Sequence, residues 1–191
     1  MIMIKRLDLS LFFGLLILMI VVSISGCVHS NSNGTQKYND EFISFDYPSD
    51  FQYTSGHYHI ESGGANWRNV LMIGNGKVFI SISKNENATN LTTSEAKEKA
   101  EKRISEKDIV DKGGKYLSDT RKTNDNGVEA ESTITSINDP NNQNVVYKYI
   151  TYYFKANTDV MYSIIIYGNE KNFVDVQSVA DTLFNSLKIN N

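Results

Sequence analysis

Val145-Val146-Tyr147-Lys148-Tyr149-Ile150-Thr151-Tyr152-Tyr153-Phe154-Lys155-Ala156 is followed by Asn157-Thr158-Asp159 and then by Val160-Met161-Tyr162-Ser163-Ile164-Ile165-Ile166-Tyr167. Two β-branched and aromatic runs around a short polar break predict a pair of antiparallel strands. Both runs carry apolar side chains at odd and even positions, so both faces are expected to be covered and the pair to lie centrally in a sheet. Downstream, Phe173, Val176, Ala180, Leu183 and Leu187 recur at helical spacing, with Val179 and Phe184 widening the stripe. A firmly docked C-terminal helix is the expectation.

Upstream, residues 116–122 and 128–137 flank Asn124-Asp125-Asn126-Gly127, a hairpin-turn signal. Before them, Thr92-Thr93-Ser94-Glu95 has capping-box spacing, with Leu91 and Ala96 placed as a hydrophobic staple and Ala96, Ala100 and Ile104 recurring every four residues. That narrow stripe predicts a helix lying on the sheet with most of its circumference in water. Further upstream, Gly74-Asn75-Gly76 joins residues 70–73 to 78–83 as a tight hairpin. Residues 53–60 form another strand-like run, and Phe42, Ile43, Phe45 and Tyr47 form one that ends at Pro48. The expected fold class is α+β, a single antiparallel meandering β-sheet with helices packed against it.

Composition limits the function classes. The chain has 191 residues, enough for one domain and a tail. Lys+Arg number 19 against 22 Asp+Glu, a formal charge of −3, and no basic run interleaves with aromatics. No nucleic-acid partner is therefore expected. A single cysteine excludes an internal disulfide and a thiolate-rich metal cluster.

That cysteine stands behind a targeting pattern. Lys5 and Arg6 precede an apolar run over residues 11–22, followed by Ser23-Ile24-Ser25-Gly26-Cys27. Charged, apolar and small-residue regions in this order read as a secretory signal. The apolar run is shorter than the roughly 20 residues of a comfortable membrane span. Two readings stand: an uncleaved anchor helix starting near Leu7 and ending at Cys27, or a signal removed before Cys27. Ile24-Ser25-Gly26-Cys27 resembles the lipobox of prokaryotic lipoproteins, which favours the second and makes Cys27 the lipidation site. The expected organisation is a signal peptide over 1–26, a Ser/Asn-rich flexible tether over 27–38 and a domain over 39–191. In either reading the domain is held at the cytoplasmic membrane on its extracytoplasmic face. Loss of residues 1–26 leaves the remainder slightly more negative, with no electrostatic pull toward anionic lipid.

The order of elements, together with Phe42-Ile43-Ser44-Phe45-Asp46-Tyr47-Pro48-Ser49-Asp50-Phe51, resembles the opening of PsbP-like domains, in which an aromatic strand runs into Tyr-Pro, a small turn and an aromatic. Leu183-Phe184-Asn185-Ser186-Leu187-Lys188 is similar to that family's closing helix. The resemblance implies the PsbP-like fold over about residues 39–189, used in known cases as a binding scaffold and not as an enzyme. It supplies no matched functional residues.

The residues offer several chemistries, each beside a plainer reading. On a strand, His57, His59 and Glu61 share a face and form the one cluster with metal-ligand character, although alternate residues about 7 Å apart are wide for chelation. The plainer reading has all three facing water. Glu129 and Glu131 are a same-face carboxylate pair or a solvated strand face. Asn124–Gly127 carries calcium-type oxygens, but Thr133 stands where a bidentate Glu is required. Trp67 with Arg68 is either a partner anchor or a lid over a sheet edge. Tyr147, Tyr149 and Tyr153 form an aromatic ladder for sugar or peptide, or they pack under the first helix. Asn33, Asn87 and Asn90 fit the N-glycosylation sequon.

The reading that follows is a membrane-anchored lipoprotein whose exported domain is a non-catalytic binding or assembly module with an envelope protein partner and no cofactor. The alternative is a metal-dependent protein or enzyme using His57, His59 and Glu61.

Overall fold

A computed structural model describes residues 29–30, 34–54, 66–105, 115–139 and 142–190. The elements are β1 (His29–Ser30), β2 (Thr35–Asn39), β3 (Ile43–Pro48), β4 (Gln52–Tyr53), β5 (Trp67–Gly74), β6 (Val78–Asn85), α1 (Thr93–Ser105), β7 (Lys115–Thr123), β8 (Glu129–Asp139), β9 (Asn142–Lys155), β10 (Met161–Asn169), a 3-10 turn (Glu170–Asn172), α2 (Phe173–Ser186) and β11 (Lys188–Ile189). The α+β class holds, but the strands form two antiparallel sheets where a single one was expected. Seven strands run β4-β5-β6-β10-β9-β8-β7, and four run β1-β2-β3-β11. The cause lies in β3, which pairs with β2 along one edge and with β11 along the other. Neither edge is left for the meander.

The folded region also begins before Asn39. Residues 35–38, which read as tether from composition, form with Asn39 a strand that pairs residue for residue with β3 from Pro48 to Ser44. Tyr38 is the only apolar side chain in β2, so the strand leaves almost no alternation to detect.

The central pair is β9 and β10, in register from Met161↔Lys155 to Asn169↔Tyr147. Alternation sends Tyr152, Phe154, Tyr162, Ile164 and Ile166 to one face, where they share a core with Ile43, Phe45 and Tyr47 of β3 and with Val176, Ala180, Leu183 and Phe184 of α2. The other face carries Tyr153 and Met161, which bury Ala96 and Ala100 of α1. The two helices thus lie on opposite faces of the large sheet. The capping box of α1 forms as read: the Thr92 N–H donates to Glu95 Oε2 at 2.8 Å and the Glu95 N–H to Thr92 Oγ1 at 3.1 Å.

Two polar side chains tie the layers together. Asp40 Oδ2 accepts from the Tyr38 hydroxyl at 2.8 Å and from the Tyr162 hydroxyl at 2.7 Å, linking the small sheet to β10. Burial, followed by the neighbouring Asp40 carboxylate, raises the pKa of Tyr38; burial and the hydrogen bond to Asp40 raise that of Tyr162. Both phenols remain neutral donors. Asn124, buried in the β7–β8 turn, donates through Nδ2 to the Phe184 carbonyl at 2.7 Å and the Leu187 carbonyl at 2.8 Å. Its Oδ1 accepts from the N–H groups of Asn126 and Val128. One amide closes the hairpin and caps the C-terminal end of α2.

Replacing Asn124 by Ala removes one donor each from the Phe184 and Leu187 carbonyls, which keep only the Leu187 N–H and Asn126 Nδ2, and takes the acceptor from the Asn126 and Val128 N–H groups. Urea unfolding followed by circular dichroism should show a loss of about 2–4 kcal/mol with unchanged slope. A loss below about 0.5 kcal/mol, the scale of an ordinary surface change, would contradict this role.

Candidate functional site

At the β5–β6 turn, Asn75 Oδ1 accepts from the N–H groups of Lys77 at 3.1 Å and Val78 at 3.0 Å, and Gly76 takes the left-handed backbone the turn needs, at φ 84°. The Asn75 carboxamide oxygen is thereby engaged, and its Nδ2 donates to Asp50 Oδ2 at 2.9 Å. Asp50 sits in the β3–β4 connection, where the Ser49 N–H bonds to the Gly34 carbonyl at 2.9 Å and the Phe51 N–H to the Pro48 carbonyl at 3.2 Å. Two separate turns are so held side by side.

A third wall comes from the end of β10. Gly168 pairs with Val78, and a Cβ there would meet the Lys77 carbonyl at 2.5 Å and Val176 Cγ2 at 3.0 Å. Only glycine lets the β5–β6 turn and α2 approach the strand this closely. Asn169 Oδ1 then accepts from the Lys171 N–H at 3.0 Å and starts the 3-10 turn. Asn172 follows at the N-cap of α2, with no capping bond from its side chain.

These walls enclose a cleft of about 720 Å³, bounded by Asp50, Gln52, Tyr53 and Thr54, by Gly74–Lys77, and by Asn169 and Asn172. Its floor is Phe79 and Tyr147. The volume falls within the roughly 300–1,000 Å³ of small-ligand sites. Phe79 is the end of a row that continues across the same sheet face through Tyr167 of β10 and Tyr149 of β9. Their rings stack at 5.2 Å, with interplanar angles of 24° and 19°. Burial, then the neighbouring Tyr147, pushes the Tyr167 hydroxyl up to about 12, so it stays protonated across the physiological range. At the rim, Tyr53 is 79% exposed.

The tyrosine ladder is divided by this geometry. Tyr147 reaches the cleft; Tyr149 is buried in the stack, and Tyr153 is buried against α1. Trp67 is half-buried edge-on to Tyr153, with centroids 6.4 Å apart, as a cover over the β5 end of the sheet. Arg68 is exposed and pairs with Glu86 at 3.3 Å. The structure does not bring Trp67 and Arg68 to the cleft. Asn87 and Asn90 are exposed in the connection before α1. Glu129 pairs with Arg121, while Glu131 is buried 3.6 Å from Lys97. Lys97 also holds Asp119 at 2.7 Å, a hydrogen bond that raises its pKa. Cys27, Asn33, His57, His59 and Glu61 lie outside the described residues. Among the described residues, no group of three or more His, Cys, Asp or Glu is placed to hold a metal ion.

Sequence reasoning missed Asp50, Gln52, Lys77, Asn169 and Asn172. Their signal was present as turn chemistry, in Gly74-Asn75-Gly76 and in asparagines flanking the last helix, but turns do not announce which others they will meet.

The solution structure of cyanobacterial PsbP (CyanoP) from Synechocystis sp. PCC 6803 superposes with a TM-score of 0.56 at 14% identity, covering 87% of this chain and 99% of that one. The chain has a PsbP-like fold. The crystal structure of LpqN, involved in cell envelope biogenesis of Mycobacterium tuberculosis, is more distant, with a TM-score of 0.46 at 13% identity over 74% of this chain and 92% of that one. No protein-family model matches the chain, and no curated protein matches it. At such identities the likeness carries the fold and no ligand. Among the described residues, no helix is long and apolar enough to cross a membrane.

Rim and floor should separate in stability. Tyr53→Ala should change the unfolding free energy by no more than about 0.5 kcal/mol. Tyr167→Ala, which breaks the stack, should cost about 3–5 kcal/mol. Equal losses in urea titrations of the two variants would show that Tyr53 belongs to the core.

Proposed function

We propose that this PsbP-like domain is a non-catalytic binding or assembly module of the cell envelope, held at the extracytoplasmic face of the cytoplasmic membrane by lipid on Cys27. The observation that carries the binding role is the cleft. Turns from three parts of the chain meet there over an aromatic floor and present carboxamides, one carboxylate and one ammonium. Amide and aromatic groups of this kind orient a ligand by hydrogen bonds and contact, and they supply no nucleophile–base pair.

The anchoring role rests on Ile24-Ser25-Gly26-Cys27 directly behind the apolar run. In that reading the lipid does the holding, and the mildly acidic domain stays in water beside the membrane. Mass spectrometry of the protein from the membrane fraction of its own host checks this. The expected N-terminal residue is Cys27 carrying a diacylglyceryl thioether, and an intact N-terminus at Met1 with an unmodified Cys27 would overturn it.

A further inference from the structure

We propose that the cleft between the β3–β4 connection, the β5–β6 turn and the start of α2 is a binding site for a neutral saccharide chain. The inference deepens the binding role above and rests on it.

The first ground is the mixture of hydrogen-bonding groups. Among the described residues, the side chains of Gln52, Lys77 and Asn172 engage in no hydrogen bond or ion pair. Asp50 lines the cleft and accepts from Asn75 through Oδ2, which leaves its other oxygen as a further acceptor. Carboxamides donate and accept, an ammonium only donates, and a carboxylate only accepts. A ligand that meets all four must itself both donate and accept at closely spaced points. Sugar hydroxyls do so.

The second ground is the aromatic surface. Tyr53 stands at the rim as an exposed ring, and Phe79 and Tyr147 form the floor. A pyranose ring has C–H faces that pack on aromatic rings and hydroxyls around its edge, the same division as floor and rim. The Tyr167 and Tyr149 rings stacked alongside Phe79 fix that floor before any ligand arrives, which lowers the ordering cost of binding.

Charge and strand geometry set other ligands aside. Lys77 is offset by Asp50, and Asp175 occupies the first turn of α2, so an anion gains little net attraction. A peptide added to a sheet edge needs a run of free backbone groups, and β4 offers two residues.

Isothermal titration of the mature chain with cellotetraose, maltotetraose, mannotetraose and chitotetraose tests the proposal. At least one should bind saturably at millimolar concentration or below. Tyr53→Ala should weaken it about tenfold and Gln52→Ala several-fold, while Tyr53→Phe retains it. Thermal melting of each variant should match the parent, because these side chains are exposed. No binding by any of the four, or binding indifferent to both Tyr53→Ala and Gln52→Ala, would overturn the proposal. A photoreactive amino acid at Gln52 in living cells separates the two levels. A specific crosslink to an envelope protein without saccharide binding would overturn the saccharide assignment and leave the binding module standing, whereas neither crosslink nor saccharide would overturn both.

Discussion

A helix that ends inside a protein must hand its last carbonyls to a partner, and in this fold the buried Asn124, helped by Asn126, receives them. The two bonds from its carboxamide to Phe184 and Leu187 hold the C-terminal end of α2 against the β7–β8 turn. The Asp46 N–H donates to Ser186 Oγ at 2.8 Å and secures the same end to β3. At the opposite end, Gly168 admits Val176 and the Lys77 backbone to a distance no other residue would allow. With both ends pinned, α2 cannot slide along its axis. Asn169 and Asn172 therefore face the β5–β6 turn at a set separation, and the cleft exists because the helix is fixed.

The large sheet divides its duties by face. Its inner face, with α2 and β3, is almost wholly apolar and supplies the burial that stabilises the domain. Its outer face is mixed: Ser81, Ser83, Thr133, Thr151 and Ser163 are interleaved with Tyr149, Ile165 and Tyr167. Toward one end of that face α1 covers Tyr153 and Met161, and its Lys97 sits among Asp119, Glu131 and Glu101. Toward the other end the aromatic row runs out into the floor of the cleft. The rigid aromatic part and the uncommitted polar part are thus adjacent, which suits a site that discriminates by shape and hydrogen bonding.

Much of the fold was legible because period and punctuation agreed. The β9–β10 pair, both hairpin turns marked by Asn and Gly, the Thr92–Glu95 box and the C-terminal helix all follow from local chemistry that tertiary structure reinforced. The second sheet was not legible. β11 is a strand of two residues, and β2 holds a single apolar side chain, so neither leaves a periodic trace. Their pairing with β3 is a long-range fact. The site was legible only in pieces: Tyr147 was noticed for its place on an aromatic strand, but the groups around it come from turns separated by some hundred residues of chain. Asn124 is the instructive case. Its sequence context announced a turn and was right, yet the second task of the same side chain, capping a helix 60 positions away, depends on a contact no local pattern encodes.

The measurement that bears most directly on the cleft as a recognition site is a backbone amide NMR map of the isotope-labelled protein during titration with the tightest-binding tetrasaccharide. The expected result is saturable shifts concentrated at Gln52, Tyr53, Gly76, Lys77 and Asn172, with the β7 edge and α1 unmoved. Shifts centred on Trp67 and α1, or on β7, with the cleft silent, would contradict the assignment.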